Sequence, residues 1–579
     1  MRKLTLYPAF VELSPSPWHH LSFVNWNRFL LAGLLAVFLA RIVLTYRVFN
    51  DTSDESFHIQ AGLEFLQQGT YTFEPQHPPL ARAVVALLPY YFGGLRFRQS
   101  DSLWRGEWGH HDVAFFWKTL SLARAGNLVF AILVFFFVFR WSLLLYGQRA
   151  AWAAALLISC CPNLLAHASL AALDIAAAAT VLMTAFFLWR WVENPGWRYC
   201  LASGVAFGLA VLSKFSALAF LPPLVPIYFL IGWWMKRRGA LPAVRVLSIL
   251  RAGAFCLLVA VTVWAGYRFD VGPLVPHGHH FHSRFNMGPP SSLPNLLAKR
   301  VINKTLVAPR FWEGLVDVLS HNQTGHQAYL LGQLSDHGWW YYFPVAVAVK
   351  TTLPLLALLG IAAGMLVLKR DSVTLRRSIY PLWAILVVMG VSIAGNLNIG
   401  VRHVLPVFPL FAILASGVFS GWRQPTRLVS LPTVAACLLA WHIAESVLAH
   451  PDYLPYFNQI ARGQEEEFLV DSNLDWGQDL ARLGTYLQQH RIESVQLNYF
   501  GSANAARLGV PARSLPPEGP DAGWAAISIN RLKGIESDPA YFQWIAGRKP
   551  VARVGKSIWL YYFPTARKVL LPGHAPHLH

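Results

Sequence analysis

Charge is scarce in this sequence, and acid is scarcer than base. Only 13% of the 579 residues are Asp, Glu, Lys or Arg, and 29 acids against 48 Lys and Arg leave a formal net charge of +19. Soluble domains carry roughly twice that charged fraction. With hydrophobic residues at 55%, a water-soluble enzyme is excluded. Cysteine is nearly missing: the five (Cys160, Cys161, Cys200, Cys256 and Cys437) all sit in apolar runs without ligand spacing or a disulfide framework, and they read as small core residues. There is no internal repeat, no low-complexity tract, and no basic stretch interleaved with aromatics of the kind that grips nucleic acid. Aromatics, in contrast, are plentiful (23 Trp, 20 Tyr and 37 Phe), which excludes a disordered chain. A polytopic membrane protein with some polar mass outside the bilayer remains.

A helix that crosses a bilayer needs roughly 20 mainly apolar residues. About eleven such runs occur, near 29–46, 118–140, 150–167, 174–191, 199–213, 216–234, 247–266, 343–368, 379–397, 403–420 and 429–449. The stretch 80–95 holds Arg82 and breaks at Pro89 and Gly93-Gly94, as an interfacial helix would. The first run follows a long polar leader with no small-residue cleavage site before Arg41, so it reads as an anchor. Short loops holding Arg28, Arg140 and Arg149, Arg190 and Arg198, Lys236 to Arg238, Lys369 to Arg377, and Arg423 and Arg427 alternate to one side. The excess of cations in these loops predicts a cytoplasmic N-terminus. Three segments then lie outside: loops 47–117 and 267–342, and the tail 450–579. In the tail, helical periodicity at 479–489 and strand patterns at 494–500, 524–529 and 556–562 predict a small α/β domain. The domain division is thus 1–449 and 450–579.

The ionisable residues near the bilayer edge are few enough to name. Asp54, Glu55 and His58 follow the first span; carboxylates there are costly unless solvated or used, although both also suit a helix N-terminus. His77 enters a Pro78-Pro79 turn, which fixes the direction of its flanking side chains. Asp174 is an isolated acid between two spans and could simply cap the fourth. Arg124, Lys214, and Arg402 with His403 lie at outer turns or span ends. Each could snorkel to headgroups, but together they suit the phosphate of a lipid-linked substrate. The tract His277-Gly-His279-His280-Phe-His282 offers His279 and His280 as metal ligands, though without a partner acid the spacing specifies no ion. Asp471 to Asp479 imitates a calcium loop but has Trp476 where Gly is needed and Arg482 in place of the closing Glu. It reads instead as an Asx-rich turn capping the next helix.

These motifs together resemble one family. Asp54-Glu55 with His58, then His77-Pro78-Pro79-Leu80, are similar to the protein O-mannosyltransferase and aminoarabinose transferase superfamily, which are GT-C glycosyltransferases using polyprenyl-phosphate-sugar donors. The bacterial phospholipid-carrier-dependent branch is echoed further by Ala166-His167 with Asp174, Gly208 to Lys214, Tyr342-Phe343-Pro344 with Lys350-Thr351, Arg402-His403-Val-Leu-Pro406, and the Asp471 to Asp479 run. The resemblance implies an all-α polytopic GT-C fold in the bacterial inner membrane. It implies an acceptor-activating acid at Asp54 with Glu55 beside it, and a supporting acid at Asp174. His58, His77, Arg124, Lys214, Lys350, Arg402 and His403 become candidates for the donor phosphate, and a divalent metal is a further option. Where aminoarabinose transferases have an acid before the basic-Pro turn, this chain has Gln76. The expected activity is inverting transfer of a sugar from a polyprenyl phosphate to a hydroxyl of a protein, lipid or glycan. The rival class is a transporter or flippase for a lipid-linked or anionic solute, which would show inverted repeats and helices broken at the midplane.

Overall fold

The computed structural model describes residues 17–98, 112–237, 248–274, 304–368, 372–420 and 430–564, apart from 518, 521 and 546. His279 and His280 lie outside the described residues. Helices occupy every expected span, because each apolar run ends at Gly, Pro or a charged turn. Among the described residues, five helices are long and apolar enough to cross a membrane, or seven if two bent pairs each count as one span. Pro17–Val43 and the shorter apolar helices Trp197–Ser213, Ser378–Ile393 and Val407–Phe419 fall where the other four are expected. By length and composition alone the count of eleven is therefore not reached.

The two bent pairs matter for the site. Gln148–Ser159 and Pro162–Ala168 meet at 60°, and Tyr342–Lys350 and Leu353–Leu368 meet at 113°. Each break frees backbone groups that need partners in an apolar setting, and here the breaks are stitched to each other. Asn163 Nδ2 donates to Lys350 O at 2.9 Å, and Asn458 Nδ2 donates to Thr351 O at 2.7 Å.

The loop after the first span forms two short helices, Glu55–Gln67 and Pro79–Leu88. They pack closely through Gly62, where an added Cβ would strike the backbone of Arg82 and the side chain of Ala86. The second helix does not break at Pro89. It runs on through a wide turn, Pro89–Gly93, and stops at Gly94 in the left-handed conformation (φ +75°). Arg82 in this helix is fully buried and paired with Glu74.

The C-terminal segment carries the helix Leu480–Gln489 and a five-stranded mixed sheet, ordered Ala512–Ser514, Val495–Asn498, Gly523–Ser528, Ile558–Phe563, Ala552–Val554. The first three strands are parallel, and the last two join antiparallel. The sheet's core is Leu480, Leu483, Leu487, Val495, Ala526, Ile558 and Leu560.

Candidate active site

The 471–479 loop, next to residues 50–53 in space, organises the site. Ser53 N donates to Trp476 O at 3.1 Å and Asn50 N to Gln478 O at 3.2 Å. The Asx-turn reading holds locally, since Asp475 Oδ1 accepts from Gly477 N at 3.1 Å. The capping role falls elsewhere. Asp479 precedes the Leu480–Gln489 helix without a side-chain cap bond, because its carboxylate instead accepts from Lys556 N and Ser557 Oγ. Asn50 Oδ1 accepts from Ala481 N at 3.0 Å, so the turn after the first helix caps a helix 431 positions away. Burial raises the Asp471 and Asp475 carboxyls to about 7, with Arg402 opposing the shift at Asp471.

Asp54 stands at the entrance. It precedes the Glu55–Gln67 helix but makes no side-chain cap bond, and its carboxylate, 35% exposed, accepts from Arg402 Nη1 at 2.6 Å. Arg402 lies across the Trp476 ring, 4.2 Å from its centroid. Its turn is clasped by the same loop: Asn473 Oδ1 accepts from Val401 N at 2.9 Å, and Ser472 Oγ donates to Ile399 O. Gly400 (φ +117°) leaves no room for a Cβ, which would strike Ser472 Oγ.

Deeper in, Lys214 Nζ donates to Asp174 Oδ1 at 2.6 Å, and His167 Nδ1 is 3.8 Å from Asp174 Oδ2. Asp174 is buried in the first turn of its helix without being the cap. The His167 ring meets Trp476 edge-on at 6.1 Å, so Trp476 joins the two ion pairs. His77 is within Coulombic reach of Lys214, Asp54, Asp174 and Arg402, and His403 of Lys214, Arg402, Asp174 and His77.

Four of the expected site residues, Glu55, Arg124, Lys350 and His58, have other partners, whereas the buried Nδ1 of His77 has none among the described residues. Glu55 is fully buried and already saturated: it accepts from Arg124 Nε and Nη2 at 2.9 and 2.8 Å, from Ala171 N at 2.7 Å, and from Thr52 N at 2.9 Å. No lone pair is left for an acceptor. Arg124 uses its other donors on Tyr46 O, Phe49 O and Asn50 O; with all five N–H groups engaged, it has none for a phosphate. Lys350 Nζ is buried and donates to Leu454 O and Asn473 O at 2.7 and 2.6 Å, holding the second helix break to the 471–479 loop. Burial and the neighbouring Arg82 push His58 well below the ordinary imidazole value, while Nδ1 accepts from Arg82 Nε at 3.3 Å. Burial, reinforced by Lys214, lowers His77 to about 3. Burial thus works against a charged imidazole at both positions. Among the described residues no three His, Cys, Asp or Glu side chains gather to hold a metal ion.

Residues 114–265 match the family described as dolichyl-phosphate-mannose-protein mannosyltransferase. This bears out the resemblance read from the motifs. The matched segment contains Arg124, His167, Asp174 and Lys214, while Asp54, His77 and Arg402 lie outside it. A search of curated proteins gives no match. Among solved structures the chain is similar to ArnT from Cupriavidus metallidurans bound to undecaprenyl phosphate, at TM-score 0.48 and 13% identity, covering 91% of this chain and 97% of that one. The apo state of the same protein gives 0.48 and 13%, covering 93% and 98%. The oligosaccharyltransferase of Archaeoglobus fulgidus gives 0.38 and 13%, covering 88% and 72%.

Proposed function

We propose that the chain is an inverting glycosyltransferase that moves a sugar from a polyprenyl-phosphate-linked donor to an acceptor hydroxyl at the outer face of the membrane. The observation that carries this reading is the pairing of a part-exposed carboxylate, Asp54, with Arg402 beside a second, buried pair, Asp174 and Lys214. Asp54 would take the proton of the attacking hydroxyl as the new bond forms at the anomeric carbon. The sugar–phosphate bond breaks with its electrons on the phosphate oxygen. Arg402 and Lys214 are the cations available to stabilise that charge, and Asp174 positions Lys214. A phosphate is a good enough leaving group that no separate acid is required. Undecaprenyl phosphate bound to the ArnT neighbour is consistent with this donor class.

The transporter reading gains something from the two broken helices. Those breaks are tied by Asn163 and Lys350 to each other and to the 471–479 loop, and such fixed ties support the enzyme reading over a transporter.

The test is sugar transfer from a synthetic polyprenyl-phosphate sugar by the purified chain in nanodiscs. Lys214→Ala and Arg402→Ala are each expected to lower donor use roughly 100-fold, the scale of losing one charge-stabilising donor. Lys214→Arg should recover only part, because the planar guanidinium has a different reach. Small losses in both Ala variants, with full activity in Lys214→Arg, would mean that these cations only snorkel. Orientation has its own check. A reporter fused after Pro451 is expected to be active only outside the cytoplasm; cytoplasmic activity would put Asp54 and Lys214 on the wrong side for this reaction.

A further inference from the structure

The second outer loop and the C-terminal domain meet near Asp54, and one side chain at that junction has no part in the chemistry described above. The helix Pro309–Thr324 stops at Gly325 (φ +79°), where an added Cβ would strike Asp336 O. Just before the stop, Asn322 accepts from Asn396 N and Asn396 Nδ2, both at 3.3 Å, which ties the helix to the segment leading to Arg402. Just after it, Gln327 Oε1 accepts from Glu536 N at 2.8 Å, and Leu331 N donates to Phe468 O at 3.0 Å. His326 lies between these ties, so its backbone is held on one side by the Arg402 segment and on the other by the C-terminal domain.

The His326 side chain is partly exposed and within Coulombic reach of Arg402, Glu536 and Asp54. Neither carboxylate is its ion-pair partner, since Asp54 pairs with Arg402 and Glu536 with Arg531. Its ring neighbour is His321, with centroids 5.6 Å apart. Among the described residues no hydrogen bond engages either ring nitrogen. Burial, reinforced by Arg402, lowers its pKa, which favours the neutral ring, with one N–H donor and one bare nitrogen acceptor.

We infer that His326 binds the acceptor and that the acceptor is a saccharide. The inference rests on the glycosyltransferase reading above. Asp54 receives the attacking hydroxyl, and His326 holds a second hydroxyl of the same molecule, which sets the one that reaches Asp54. A Ser or Thr side chain brings a single hydroxyl and leaves the imidazole without a partner. A sugar carries hydroxyls on adjacent carbons, and a neutral imidazole can donate to one or accept from it. The C-terminal domain thereby gains a role: through Glu536 and Gln327 it keeps the acceptor-binding ring beside the base.

The experiment uses the full chain in nanodiscs with a synthetic polyprenyl-phosphate sugar, offered a panel of methyl glycosides and, separately, a Ser/Thr peptide. Transfer to at least one glycoside is expected. His326→Ala should raise the KM for that glycoside roughly tenfold, the scale of one hydrogen bond, at unchanged donor KM. His326→Gln should recover part of this, because a carboxamide also offers a donor and an acceptor. Removing the hydroxyl beside the attacked one should cost wild type a similar factor and cost His326→Ala little more. Unchanged glycoside KM in His326→Ala overturns the assignment, as does a rise in donor KM in its place. Transfer to the peptide and to no glycoside overturns the saccharide class, and so does a donor that is hydrolysed but passed to no glycoside. A donor neither transferred nor hydrolysed would overturn the glycosyltransferase reading itself, and this inference with it.

Discussion

Asp54→Asn is expected to lower turnover 100-fold or more while leaving the fold and donor binding in place. The size follows from the usual contribution of a positioned general base, roughly 10²–10⁴. The carboxamide keeps the shape and one acceptor oxygen for Arg402 Nη1 but can no longer take up the hydroxyl proton. Folding should tolerate the change because the side chain is 35% exposed and serves no cap. Removing this anion leaves the Arg402 charge uncompensated even where the hydrogen bond persists, so Arg402 would bind a phosphate at least as well and KM for the donor should not rise. A fall in kcat at unchanged donor KM is therefore the signature. Near-normal turnover in purified Asp54→Asn would reject the base assignment. Glu55 could not take over, because its oxygens are already engaged by Arg124, Ala171 and Thr52. Asp174 would be the next acid to test.

The difference between Asp54 and Glu55 shows where reading the sequence stops. The pair was legible as two acids at a span end, and the apolar runs that set the helices were legible as well, since composition and length decide both. Which acid faces the reaction was not. Neighbours on a helix point about 100° apart, so one of two adjacent carboxylates can be buried while the other is open. The partner that buries Glu55 is 69 positions away. The same holds for the cations. Arg124, Lys214, Lys350 and Arg402 look alike in sequence as basic residues inside or at the ends of apolar runs, yet two of them spend donors on backbone carbonyls. Breaks in apolar helices create such carbonyls, and sequence reveals the break more readily than the residue that satisfies it. Trp476 was read as the residue that spoils a calcium loop, whereas in space it is the plate on which Arg402 lies. The only sequence signal for it was a large aromatic ring among closely spaced Asx residues.

Arg124→Met should be among the most destabilising substitutions in the chain, with a cost of about 3–5 kcal/mol, the range for removing one partner of a buried ion pair. Both side chains are fully buried. The loss strands the Glu55 carboxylate with two backbone donors and one weak contact to Thr52 Oγ1, and leaves the carbonyls of Tyr46, Phe49 and Asn50 without Arg124. Adding Glu55→Gln removes the uncompensated charge, so the double variant should regain part of the stability. It should not regain all, because those carbonyls still lack their donor. The measurement is the unfolding midpoint of wild type, both single variants and the double variant in one detergent, read as a double-mutant cycle. If Arg124 instead held the donor phosphate, Arg124→Met would unfold at the wild-type midpoint with a raised donor KM, and the cycle with Glu55 would show no coupling. A large coupling energy with donor KM unchanged in whatever protein remains folded would assign the pair to the architecture that holds Asp54 at the entrance. Arg124 bonds Asn50 O four residues before Asp54 and the Glu55 carboxylate directly after it, so this one guanidinium ties down both sides of that turn.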